Sequence, residues 1–94
     1  MGRTTDGAVI MVRVTPEDHD RWLAVFEEDE ELRREFGITR GPIYKDVSNP
    51  ASMLVHLDAE DLERAQGYFA DQRFKTSAER AGRVEREVYV GKRQ

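Results

Sequence analysis

Residues 8–14 read Ala-Val-Ile-Met-Val-Arg-Val, a β-branched apolar run that predicts a first strand. Behind it, Thr15 suits a helix cap, Pro16 a first helical position, and Glu17 and Asp18 the positive end of a helix dipole. That helix is expected to run to about Phe36 and stop at Gly37. Gly41 and Pro42 reopen an extended segment over residues 43–48, and Asn49-Pro50 makes a turn. A third strand is expected over 52–57, and Asp58 is placed to cap a second helix over 59–70. A further helical stretch covers 72–81 and stops at Gly82, and a last strand covers 84–90. The order is β-α-β-β-α-β with a broken second helix, the α+β arrangement of a ferredoxin-like fold with a four-stranded antiparallel sheet. Residues 1–7 are expected to be a flexible leader, 8–90 a single domain, and 91–94 a polar tail.

The strand pattern also bears on assembly. Two helical layers cover only one face of such a sheet, and an uncovered antiparallel face normally carries polar residues. Strand one has Val9 and Met11 on one parity and Ile10, Val12 and Val14 on the other, and strand three sets Met53, Val55 and Leu57 against Leu54. Both faces therefore read as covered. A second copy of the same sheet is the expected cover, making a homodimer.

At 94 residues, with 38% hydrophobic and 36% charged, the chain supports one modest core under a charged surface. The absence of cysteine removes disulfides, thiolate metal ligands and cysteine nucleophiles. Fifteen basic residues stand against 19 acidic ones, and the basic ones are scattered, so no face suits nucleic acid. The longest apolar run, residues 8–12, cannot span a bilayer, and the first seven residues contain no apolar signal core. A cytoplasmic protein without nucleic-acid or membrane partners is expected. No phosphate loop, GxGxxG or GxSxG motif is present, and no cluster of acids and histidines suggests a metal, so no cofactor is expected either.

Candidate chemistry lies on the first helix. At helical spacing Trp22, Val25, Phe26, Leu32 and Phe36 form one apolar stripe, which Asp29 interrupts, with Arg33 one turn further on. A carboxylate there is costly unless paired or hydrogen-bonded. Two readings stay open: a structural Asp29–Arg33 pair, or a polar group placed in an apolar cavity to exchange a proton with a ligand or hold it. His56, on strand three with the parity of Leu54, is a weaker candidate. Tyr44, Tyr68 and Tyr89 each offer a hydroxyl, Gln66 borders the Leu62, Ala65 and Phe69 face of the second helix, and His19 reads as solvated.

The segment from Trp22 through Phe26, followed by Leu32, Arg33, Phe36, Gly37 and Ile38, resembles the dimeric α+β barrel superfamily. The likeness continues through Asn49-Pro50, the run from Asp61 to Ala65, and Ala81-Gly82, and covers residues 8–90. It is nearest to the short members called cyclase-like or antibiotic-biosynthesis-monooxygenase-like. The resemblance implies a homodimer whose sheets form a barrel, with an apolar pocket between sheet and helices in each subunit. Relatives include cofactor-independent oxygenases of polyketide-derived phenols, polyketide cyclases, muconolactone isomerases and haem-degrading enzymes. Short relatives commonly carry histidine where this chain has Asp29.

Two functions follow as expectations. One is a cofactor-independent enzyme on an apolar, aromatic or polyketide-derived substrate. Asp29 would be its acid/base, Arg33 would tune that acid or hold an oxyanion, and His56 or a tyrosine would assist. Its pocket would be formed by Trp22, Val25, Phe26, Phe36, Tyr44, Gln66 and Phe69. The other is a non-catalytic dimer that binds a hydrophobic ligand or acts as an accessory subunit.

Overall fold

The computed structural model describes residues 7–92; most of the expected leader and the last two tail residues lie outside them. Strand β1 (Ala8–Pro16) is followed by helices α1 (His19–Glu28) and α2 (Glu30–Glu35). Then come β2 (Ile38–Lys45), β3 (Met53–Ala59), α3 (Leu62–Ala70), α4 (Gln72–Arg80) and β4 (Val84–Lys92). The strands form one four-stranded sheet in the order β2-β3-β1-β4, with every neighbouring pair antiparallel. This is the ferredoxin-like α+β arrangement, with each helical crossover split in two.

Burial along β1 alternates strictly, the period of a pleated strand. Ile10, Val12 and Val14 face the helices and are buried, opposite Leu57, Val55 and Met53 on β3. They meet Trp22 and Val25 of α1, Ala65 and Tyr68 of α3, and Ala81 in one core. The other parity is only half covered. Val9, Met11, Leu54 and His56 are intermediate in exposure, and Tyr44 and Tyr89 are 49% and 58% exposed.

Several element boundaries differ from the sequence reading, each for a local reason. β1 keeps pairing with β4 as far as Pro16 opposite Val84, and Thr15 spends its hydroxyl on Ser52, Oγ to Oγ 2.7 Å. Asp18 therefore caps α1, accepting from the Arg21 backbone N–H at 3.1 Å. β3 likewise runs on through Asp58 to Ala59 opposite Ala8, so Asp61 caps α3, accepting from Glu63 N–H at 3.0 Å. Gly41 and Pro42 do not break β2 but sit within it at a register shift between Arg40 and Ile43. The tail residues Gly91 and Lys92 belong to β4. The single first helix is in fact two, parted at Asp29, whose φ of −87° and ψ of 5° leave the helical basin. Gly37, with φ of 71°, turns the chain from α2 into β2 as expected of a left-handed helix stop.

Candidate functional site

A cavity of about 450 Å³ lies between the inner face of the sheet and the helices. Ile10, Val12, Val55 and Leu57 form its floor, and Trp22, Phe26, Phe69 and Phe74 its aromatic walls. Trp22 and Phe26 stack at 5.1 Å between ring centroids, while Phe69 and Phe74 meet edge-on at 5.3 Å. The cavity opens toward edge strand β4, whose lining residues Val88 and Val90 are each 51% exposed.

The polar end of the cavity is built on the break between α1 and α2. An aspartate heading a helix normally caps it with its carboxylate. Asp29 makes no such bond to α2. Its buried carboxylate instead accepts from Ser77 Oγ at 2.8 Å and from the Tyr68 hydroxyl at 3.4 Å. Four helices thus meet at one acid: the α1–α2 junction supplies the carboxylate, and α3 and α4 supply the hydroxyls that orient it.

Arg33 does not complete the expected pair with Asp29. It is 1% exposed, and none of its three guanidinium nitrogens meets a hydrogen-bond partner. Its guanidinium carbon lies 3.9 Å from the Phe26 ring centroid, a cation–π contact. Burial pushes the Tyr68 hydroxyl up to about 12. The guanidinium of Arg33 is near enough to oppose that rise, and Asp29 adds to it. Tyr68 therefore holds its proton at neutral pH and serves as a hydrogen-bond donor, not a base.

Trp22, Val25, Phe26, Asp29, Arg33, Gln66 and Phe69 all line the cavity. Three residues expected at the site stand elsewhere. His56 points to the outer face, because it shares the parity of Leu54 and alternates with inward Val55 and Leu57; its Nε2 lies 3.1 Å from Asp58 Oδ1. Tyr44 is on that same outer face, since it pairs with Leu54. Phe36 lies beyond the helix break that ends the Trp22 stripe, and packs against Tyr68 at 6.3 Å and against Gly67. A Cβ at Gly67 would lie 3.0 Å from the Phe36 ring, so any larger residue there would have to push that ring back by a few tenths of an ångström. His19 is exposed, with Nε2 3.1 Å from the Ala51 carbonyl oxygen.

Two polar lining residues escaped the sequence reading. Ser77 stands on the stripe formed by Phe74, Ala78 and Ala81 in and just after α4, and a serine on an apolar helical stripe is the signal that could have found it. Arg86 of β4 pairs with Val14 and so faces inward at the cavity's open side. Partial burial draws its guanidinium below its ordinary value, with Tyr68 opposing. Among the described residues no group of acids and histidines is arranged to hold a metal ion, and no helix is long and apolar enough to cross a membrane.

No family model matches the chain, and no curated protein does. Solved structures do. SnoaB, a cofactor-independent oxygenase from Streptomyces nogalater, superposes with a TM-score of 0.71 over 96% of this chain and 97% of its own, at 14% identity. The chain shares the ferredoxin-like α+β fold of these structures. A Nitrosomonas europaea protein provisionally assigned as an antibiotic biosynthesis monooxygenase matches at a TM-score of 0.65 and 12% identity, over 97% of this chain and 95% of its own. A conserved protein of unknown function from Bacteroides thetaiotaomicron matches at 0.71 and 8% identity, over 96% and 100%. At such identities the likeness establishes the α+β fold, and the chemistry has to be argued from the cavity.

Proposed function

We propose that this chain is a cofactor-independent small-molecule enzyme acting on an apolar, aromatic or polyketide-derived substrate, with Asp29 as its acid/base. One observation carries the reading. Asp29 is a buried carboxylate at the wall of an apolar cavity, oriented by Ser77 and Tyr68 and not paired with Arg33. A flat substrate entering beside β4 lies along the Trp22 and Phe26 rings with its acidic C–H or O–H toward Asp29. Asp29 takes that proton in a water-poor space, where placement and desolvation lower the barrier. Arg33, with its donors unspent, faces the oxyanion that forms, while Tyr68 and Ser77 keep Asp29 oriented. Returning the proton to another carbon gives isomerisation, and closing a ring on the carbanion gives cyclisation.

With dioxygen as co-substrate, the carbanion reduces O₂. An activated CH₂ and O₂ then become C=O and H₂O, a balance that needs no added reductant. The likeness to a cofactor-independent oxygenase supports that version.

Anthrone, a tricyclic ketone with an activated CH₂, is a suitable probe. The expected result is uptake of one O₂ per quinone formed, with Asp29→Asn lowering turnover by about a hundredfold while the fold is retained. Unchanged turnover in Asp29→Asn would remove the acid/base role. Binding of anthrone and other polycyclic phenols without turnover of any would favour the non-catalytic ligand carrier.

The same reading includes a homodimer formed through the outer face of the sheet. The supporting feature is the row of half-covered apolar side chains Val9, Met11 and Leu54, flanked by exposed Tyr44 and Tyr89. Sedimentation at micromolar concentration is expected to give twice the chain mass, and Met11→Arg to give a folded monomer. A monomeric mass for the unaltered chain would count decisively against the dimer.

A further inference from the structure

The charges lining the cavity do not balance. Asp29 is the one carboxylate among its lining residues, against two guanidiniums, Arg33 and Arg86, and neither makes an ion pair with it. The whole chain is net negative, −4, so a positive cavity does not follow from composition. Arg33 carries the argument. A guanidinium is a permanent cation with five N–H donors. Burying it with those donors unspent is costly, and the contact with Phe26 offsets only part of that cost.

Its own helix offers no relief. Glu30 is engaged by Arg34 at 2.7 Å, and Glu35 by Arg73 at 3.1 Å. Arg86 is similarly without a carboxylate. Its neighbours in the strand, Glu85 and Glu87, point to the opposite face, where Glu87 binds Arg13 at 3.3 Å. The only hydrogen bond the Arg86 side chain makes among the described residues is a long one, 3.5 Å, to the Val84 carbonyl oxygen.

We propose that the cavity is shaped for an apolar anion, a flat hydrophobic molecule bearing a carboxylate, phenolate or enolate oxygen, seated on Arg33 with Arg86 guarding the open side. This rests on the reading above that the cavity is the ligand site, and adds the charge of the molecule that enters. A planar guanidinium with free donors matches a carboxylate edge-on, and takes a single phenolate or enolate oxygen through two N–H groups. The aromatic walls hold the ligand's body. Tyr68 gives its one proton to Asp29, which leaves the ligand oxygen to the guanidinium. Arg33 is then a binding residue whose buried, unspent donors are an expense in the empty protein and an asset in the loaded one.

Two probes of the same size separate charge from shape: 2-anthracenecarboxylate and its neutral amide, titrated by fluorescence against the intact protein at pH 7. The carboxylate is expected to bind roughly tenfold or more tightly than the amide. Arg33→Met is expected to weaken the carboxylate by roughly tenfold to a hundredfold and to leave the amide as it was. It should also melt at or above the temperature of the unaltered protein when empty, which a purely structural arginine would not allow. Arg86→Met, at the wetter end, is expected to weaken the carboxylate by less, about threefold.

Equal binding of acid and amide to the unaltered protein would overturn the proposal while leaving the cavity as an apolar ligand site. So would an Arg33→Met variant that keeps full affinity for the carboxylate. Binding of neither probe would overturn the cavity reading and this proposal together. Should Arg33→Met fail to fold, the acid-to-amide ratio in the unaltered protein still decides.

Discussion

The two faces of the sheet are made from alternate residues of the same strands, yet they treat charge in opposite ways. On the outer face Arg13 pairs with Asp46 at 2.9 Å and with Glu87 at 3.3 Å, and His56 with Asp58. Every partner there is near water, so each charge is cheap and each pair contributes little. On the inner face Asp29 and Arg33 are both buried and are not spent on each other. Charged groups whose mutual attraction is left unused in a low-dielectric space remain available to a third party. That difference underlies the proposal of chemistry on the helix-covered side and assembly on the bare one.

The sharpest way to break that comparison is to truncate neighbouring residues on opposite faces. Ile10→Ala, at a position 1% exposed, is expected to cost about 3 kcal/mol in urea unfolding. Met11→Ala is expected to cost about 1 kcal/mol in dilute solution. A larger loss for Met11→Ala that appears only as protein concentration rises would show the outer face buried in an assembly. Equal costs at every concentration would dissolve the distinction between the faces.

A smaller effect is expected at alkaline pH. Tyr68 ionises near 10 when unfolded and near 12 when folded. Below pH 10 both states hold the proton, and the stability the folded state gains from a neutral Tyr68 is fully present. Between 10 and 12 the unfolded state alone releases the proton, so stability falls as pH rises, by on the order of 2 kcal/mol. Tyr68→Phe should flatten that window in denaturant titrations taken from pH 9 to pH 12. An unchanged slope would mean that the phenol is not secluded.

The smallest effect is expected at the other titratable candidate. His56→Gln should leave stability within about 0.5 kcal/mol and turnover of anthrone unchanged, because His56 faces away from the cavity. Loss of turnover there would move the site to the outer face.

The element order was legible in the sequence because strand and helix periods differ plainly and the glycines at 37 and 82 fall at real left-handed stops. Asp29 stood out for the same reason: it interrupts an aromatic stripe. What the sequence could not show was where its carboxylate would turn. An i,i+4 arginine lies along the chain, but Ser77 and Tyr68 reach Asp29 from 48 and 39 residues away, through packing of α3 and α4. Periodicity also cannot say which of two apolar parities meets the helices. That ambiguity put His56 and Tyr44 among the site candidates, and only the pairing of β3 with β1 and β2 resolved it. Arg86 was hidden by its setting in a charged strand, since facing inward depends on its register opposite Val14.

The register shift at Gly41 and Pro42 also limits how the molecule can aggregate. β2 is an edge of the sheet, and a flat edge invites another strand to zip onto it. A proline offers no amide hydrogen, and a bulge breaks the even ladder that a docking strand would read. The opposite edge, β4, carries Glu85, Arg86 and Glu87 in succession, a mixed-sign run that opposes stacking of identical copies in register. Sideways growth of the sheet into fibrils is thus blocked at one margin by backbone geometry and discouraged at the other by charge. Such protection leaves the half-covered outer face, rather than the edges, as the sheet surface open to a second copy.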